Sequence, residues 1–361
     1  CPVLSCPVLS CPVLSCPVLI VMHNFYAKIS SIESIFQAWN EFRVGKRNRK
    51  DVQIFERYLE DNLFNLQRKI ANKTYKHGKY TAFNIHDPKF RHIHKAKVED
   101  RIVHHGVVSI IEPLFDNSFI YDSYSCRTNK GMHKAVKRLY SFVRKVSNNY
   151  SDNCFALKLD IKKFFESMDH TILLNLLKKK INDKNFILLI KNILSSFSKN
   201  KGIPIGNLTS QIFANVYLNE LDKFMKQTLG IKYYIRYCDD FVILSKDRQY
   251  LENLVIKVEE FLIKSLKVSL HENKIIICKY IQGIDFLGYI VLPYFILPRT
   301  KTRKRAFRKM YQKYKDLENG IISKHSFNQS LQSYLGFLKH ANTFKLRMDL
   351  KQSVFGNLFD S

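Results

Sequence analysis

Between residues 25 and 72 apolar side chains recur every three or four positions. Ile32, Ile35, Phe36, Trp39 and Phe42 form one series; Val52, Phe55, Leu59, Leu63, Leu66 and Ile70 form a second. That is the helical period, so the stretch is predicted as helices packed through those positions. From residue 80 the pattern changes. Tyr80–Ile93 alternates around Asp87-Pro88 and predicts a β-hairpin. Helices are predicted from Glu99 to about Phe115 and over 132–147, and Phe155–Asp160 reads as an apolar strand ending on a carboxylate. Further helices are expected over about 170–182, from Gln211 to about 228, and over 248–266. Lys232–Tyr237 and Phe241–Ser245 are strand-prone runs around a tight break at Cys238-Asp239-Asp240. A last helical stripe, Phe307, Met310/Tyr311, Tyr314 and Leu317, runs through a basic segment. Helices mixed with short strands give an α+β class.

The break at 238–240 carries the chemistry. Asp tolerates the positive φ that a two-residue hairpin turn often needs. Two adjacent carboxylates at a hairpin tip repel each other, so a divalent cation is their natural counter-charge. If the strand ending on Asp160 lies beside the hairpin, Asp160 joins Asp239 and Asp240. Three carboxylates on one sheet suit two Mg²⁺ ions and in-line phosphoryl transfer. The plainer reading is an Asp-rich surface turn and an unrelated strand end.

Composition widens the picture. The chain has 361 residues, 46% of them hydrophobic, enough for one multi-lobed enzyme or two to three small domains. Its formal charge of +28 calls for a polyanionic partner, most simply nucleic acid. Arg43–Lys50 is a basic loop suited to a phosphate backbone. Residues 1–20 repeat Cys-Pro-Val-Leu-Ser, ending in Cys-Pro-Val-Leu-Ile, and Met22 follows. Proline in every unit forbids a helix, and the expectation is translated repetitive DNA upstream of the true start; a cysteine-rich metal-binding arm is the rival. Cys126, Cys154, Cys238 and Cys278 form no Cys-x-x-Cys pair, which argues against a zinc site and suits a reducing cytoplasm. No apolar run is long enough for a transmembrane helix. His92, His94, His104 and His105 are read as facing RNA or packing, with metal ligation as the alternative.

Tyr237-Cys238-Asp239-Asp240 resembles the YxDD box of reverse transcriptases, and Asp160 with Phe164-Phe165 resembles that family's first palm motif. The resemblance runs from about residue 55 to about 345. It implies a right-hand polymerase with fingers, a mixed-sheet palm and a helical thumb. The expected limits are 22–149 for fingers and N-terminal helices, 150–295 for the palm (with part of the fingers near 172–203), and 296–361 for the thumb. It further implies that Asp160, Asp239 and Asp240, with the Ile161 carbonyl, hold two Mg²⁺ ions, Mn²⁺ being able to substitute. Lys274 resembles the lysine that protonates pyrophosphate. Lys89 and Arg91 would grip the triphosphate of a dNTP, a solvated basic strand being the bland reading. Phe165 would gate against the 2′-hydroxyl, unless it is core and Phe164 takes that role. Arg101 and Arg127 would contact the template, a structural pair being open for Arg101 and palm support for Arg127.

From Arg299 to Lys315, nine of seventeen residues are Lys or Arg and none is acidic. Arg303, Lys304, Arg305 and Arg308 are therefore expected along an RNA–DNA duplex. Gly283–Gly288 is similar to the primer-grip turn, and Tyr334-Leu-Gly336 to a turn of related thumbs. Lys201–Gln211 resembles the second palm motif with departures. Ile205 stands where most relatives have Gln, and Gln211 where they have Pro; with Gly206, which lets backbone approach the nascent pair, the resemblance implies that they line the dNTP site. That form is the hallmark of diversity-generating retroelement enzymes. It implies mutagenic copying of a template RNA in a bacterium, archaeon or phage, with a small basic accessory protein. A compact group II intron-like or defence-associated reverse transcriptase, and a non-catalytic RNA-binding protein on the same fold, are the alternatives.

Overall fold

A computed structural model describes residues 24–87 and 89–350; the pentapeptide repeat lies outside them. The N-terminal periodicity resolves into α1 (Phe25–Ser30), α2 (Ile32–Arg43), α3 (Lys50–Glu56) and α4 (Leu59–Ala71). Ile35, Trp39, Phe42, Val52, Leu63, Leu66 and Ile70 are all buried, as their spacing requires. β1 (Thr81–Ile85) and β2 (Arg91–Lys95) make the first hairpin, and α5 (Val98–Asp116) and α6 (Met132–Val146) follow.

The central sheet comes next: β3 (Phe155–Asp160), then α7 (Phe164–Ser167), α8 (His170–Lys178), α9 (Lys184–Ser195) and α10 (Leu208–Lys223), then β4 (Tyr234–Tyr237), β5 (Asp240–Ser245), α11 (Arg248–Leu266) and β6 (Ile276–Lys279). Asp169 caps α8 and Asp247 caps α11 by accepting backbone N–H groups. The strand order is β4-β5-β3-β6, and every ladder is antiparallel. Its mixed character is one parallel bridge, Ser123 to Arg236. A small antiparallel sheet follows, β7 (Ile284–Phe286), β8 (Tyr289–Val291) and β9 (Ile296–Pro298), then α12 (Thr300–Glu318) and α13 (Lys324–Lys339). Tyr334 to Gly336, expected as a turn, lies inside α13.

Strand alternation divides the core. Leu157, Leu159, Phe241 and Ile243 pack with α5, α8, α10 and α11 on one face. Ala156, Val242 and Leu244 pack with α6 and the small sheet on the other. Lys158 and Asp160 share the parity of Ala156, and Asp240 that of Val242. The functional end of the sheet therefore opens on the second face. Met310, Tyr314, Phe327, Leu331 and Leu338 form a separate core between α12 and α13.

Candidate active site

The turn between β4 and β5 is two residues long, because Tyr237 pairs with Asp240. Positive φ falls on Cys238, at 56°, and not on an aspartate as the sequence suggested. Asp240 is thereby the first residue of β5, directly opposite Asp160 on β3. The amide of Ile161 donates to the Asp239 carbonyl at 3.3 Å and fastens the tip to the neighbouring strand. All three aspartates thus stand at one sheet end. Lys274 arrives from a short 3₁₀ turn, its ammonium 2.7 Å from Asp160 Oδ1. Lys158, which the sequence reading passed over, lies 3.6 Å from Asp240 Oδ2. Its signal was parity: a lysine two residues before a strand-end aspartate shares that aspartate's face.

Burial pushes the Asp240 carboxyl up to about 6, with Asp160 and Asp239 adding to the effect against Lys158. Asp239 is raised too, first by burial and then by Asp160. Asp240 Oδ1 is buried without a hydrogen-bond partner. Among the described residues no trio of His, Cys, Asp or Glu is gathered into a ready-made metal cage. The donor set nonetheless fits a hard divalent cation: carboxylate oxygens of three aspartates faced by two lysines, one oxygen lacking any hydrogen-bond partner.

The loop before α10 joins the segment after β3 to the first hairpin. Phe164 is buried while Phe165 is half-buried and packs against the same core. The Phe165 carbonyl accepts from Ile203 at 2.7 Å, and the Ile205 carbonyl from His94 of β2 at 3.1 Å. Gly206 has φ 110°, and a Cβ there would stand 2.9 Å from Ile93 Cγ2. Packing against the hairpin is what demands glycine at this position. Ile205 is half-buried and Gln211 exposed on the first turn of α10.

A sequence profile of the family described as "Reverse transcriptase (RNA-dependent DNA polymerase)" matches residues 70–291. The chain belongs to this family. It is 24% identical over 263 residues to the group II intron-encoded protein LtrA of Lactococcus lactis, covering 53% of this chain and 42% of that protein. It is 22% identical over 241 residues to the protein YkfC of Escherichia coli, covering 56% of this chain and 63% of YkfC. Among solved structures, apo telomerase from Candida tropicalis superposes with a TM-score of 0.50 at 11% identity, over 66% of this chain and 53% of that one. That likeness concerns the fold alone. The chain spans less than two thirds of either curated relative.

The other site residues expected in this reverse transcriptase-family chain take the following places. Arg101 faces inward: its guanidinium pairs with Asp51 of α3 and lies 4.9 Å from the Phe42 ring centroid. Asp100, its sequence neighbour, instead accepts from Tyr75 at 2.7 Å. Arg127 donates to Asp116 at 2.6 Å and to the carbonyls of Ile120 and Ser123, so its fork is consumed inside the protein. Both arginines tie elements of the fold together. Lys89 and Arg91 are exposed, but Lys89 precedes β2, so strand alternation does not put the two on one face. Arg303, Lys304 and Arg308 are exposed along α12. Arg305 is half-buried and reaches Asp87, at the tip of the first hairpin, at 3.6 Å; Lys309 pairs with the same carboxylate. His104 is buried and stacks on His77, burial holding it down at about 3, so it packs as a neutral ring.

Beneath the turn lies a second group that the sequence reading missed. Arg236 and Asp222 are fully buried partners at 2.5 Å. The Tyr234 hydroxyl donates to Asp222 at 2.7 Å, and Arg236 also donates to the Cys238 carbonyl at 3.1 Å. A buried guanidinium thus holds the acidic turn from below. Among the described residues no helix is long and apolar enough to cross a membrane.

Proposed function

We propose that the chain is an RNA-directed DNA polymerase working by two-metal nucleotidyl transfer. The observation that carries this reading is the convergence of Asp160, Asp239 and Asp240 at one sheet end, with an unpartnered buried oxygen on Asp240. These carboxylates, with the Ile161 carbonyl, would hold the divalent ions. Bound Mg²⁺, or Mn²⁺ in its place, would favour the ionised primer 3′-hydroxyl and neutralise triphosphate charge. Lys274 Nζ stands beside Asp160 and would pass a proton to the departing pyrophosphate. Lys89 and Arg91 would receive the triphosphate, and Arg303, Lys304 and Arg308 the duplex backbone. The test is primer extension on poly(rA)–oligo(dT) with dTTP and Mg²⁺. Incorporation supports the polymerase; tight duplex binding without incorporation would leave a non-catalytic RNA-binding protein.

Phe165 is half-buried, five residues past Asp160, and would gate the incoming sugar. Phe165→Ala should admit ribonucleotides, measured as a fall in the dNTP/rNTP ratio of kcat/KM. An unchanged ratio would return Phe165 to a packing role.

The finer reading is a diversity-generating retroelement enzyme that copies a template RNA mutagenically, with a small basic accessory protein as partner. Ile205 and Gln211 support it. LtrA, by its name an intron-encoded protein, favours the group II intron-like alternative. Ile205 separates them by fidelity. An isoleucine offers no hydrogen bond near the nascent pair, and one lost bond of about 1–1.5 kcal/mol lowers discrimination roughly tenfold. Ile205→Gln should lower misincorporation several-fold, chiefly opposite template adenine. Equal error spectra from one RNA template would remove this role.

A further inference from the structure

Lys158 does more than offset one carboxylate. Its ammonium lies 3.6 Å from Asp240 Oδ2 and donates to the main-chain carbonyl of Asp285 at 3.0 Å. Asp285 is the middle residue of β7, in the turn segment Gly283–Gly288. Its own carboxylate pairs with Arg299, the residue immediately before α12. The Arg299 amide donates to the Gly288 carbonyl at 2.9 Å. One run of contacts thus joins the end of the central sheet, the β7 turn and the root of α12. Lys158 is its link across the two sheets. With only 18% of its side chain exposed, it is held by packing on β3 and β6.

We propose that Lys158 is a positioning residue that fixes the β7 turn relative to Asp240. On the polymerase reading above, on which this rests, the Gly283–Gly288 segment, which resembles a primer-grip turn, would carry the primer end. The link therefore sets the reach between the primer 3′-hydroxyl and the acidic cluster. Main-chain recognition suits this task, because the carbonyl of Asp285 moves only when β7 moves. Lysine supplies a compact charge on a long stem, able to bridge a carboxylate and a carbonyl at once.

Lys158→Met keeps the apolar stem and removes the bridge; Lys158→Arg keeps charge and donors. For single-nucleotide addition to a bound RNA–DNA primer, Lys158→Met should lower kcat about 10- to 100-fold, the scale of a small misplacement of reacting groups. KM for the dNTP and Kd for the duplex should stay within about twofold. Lys158→Arg should recover most of kcat. Mn²⁺ binding, followed by electron paramagnetic resonance without substrate, should be as tight or tighter in Lys158→Met, since a competing cation has left Asp240. An unchanged kcat in Lys158→Met would overturn the role. So would a kcat loss that tracks lost folded protein and is not rescued by arginine. A wild-type chain that extends no primer would overturn the polymerase reading itself, and is seen before any variant is compared.

Discussion

Asp239→Asn is expected to reduce DNA synthesis to at most a few per cent of wild type while leaving duplex affinity nearly unchanged. The substitution removes one carboxylate from the sheet end and nothing from the basic surface, whose counter-ion release governs affinity. Stability should move the other way. Asp239 and Asp240 are both raised from their ordinary value of 3.8, chiefly by burial. A raised carboxyl costs the folded state nothing below its unfolded pKa and its full penalty above its folded one. For Asp240 that penalty grows between 3.8 and about 6. At neutral pH without divalent ions, Asp239→Asn should therefore melt at or above the wild-type temperature. Added Mg²⁺ should raise the wild-type midpoint and barely move the variant. Calorimetric scans with and without Mg²⁺, beside primer extension, check both halves. Substantial residual synthesis would show that the cation site lies elsewhere.

The largest expected loss of stability belongs to Arg236→Met. Arg236 and Asp222 are both fully buried. Removing the guanidinium leaves a buried carboxylate with only the Tyr234 hydroxyl among its present side-chain partners. Breaking such a pair from one side costs about 3–5 kcal/mol. The same change frees the Cys238 carbonyl, so activity at low temperature should fall as well. Replacing both partners, as in Arg236→Met with Asp222→Leu, should recover much of the stability, because the uncompensated charge is gone. Urea titrations of the three variants test this. Equal stability of Arg236→Met and wild type would contradict the buried network.

Much of this site was legible from residue order. Asp160 ending a strand and Asp239-Asp240 at a hairpin tip are local signals, and antiparallel pairing then places Asp160 opposite Asp240. The apolar positions of α2 and α4 were legible for the same reason: burial imposes a period. The arginines were not. Arg101, Arg127 and Arg236 look alike in a basic chain, yet each is held by an acid on another element: Asp51, Asp116 and Asp222, 50, 11 and 14 residues away. Those partners are known only once α3, α5 and α10 are packed. Turn strain was misplaced by one residue, since register alone decides that Tyr237 pairs with Asp240 and leaves Cys238 to take positive φ. Lys158 was readable by strand parity, but its second partner is a main-chain carbonyl 127 residues away, which leaves no mark in the sequence.

The convergence of three carboxylates is tested most directly by counting bound cations. Mn²⁺ can be titrated into the protein with an RNA–DNA primer and a non-hydrolysable dNTP analogue, the free ion being followed by electron paramagnetic resonance. Two ions per chain in the wild type, with loss of at least one in Asp239→Asn, is the expected result. Mn²⁺ binding that is absent, or the same in both proteins, would contradict a metal site built on Asp160, Asp239 and Asp240.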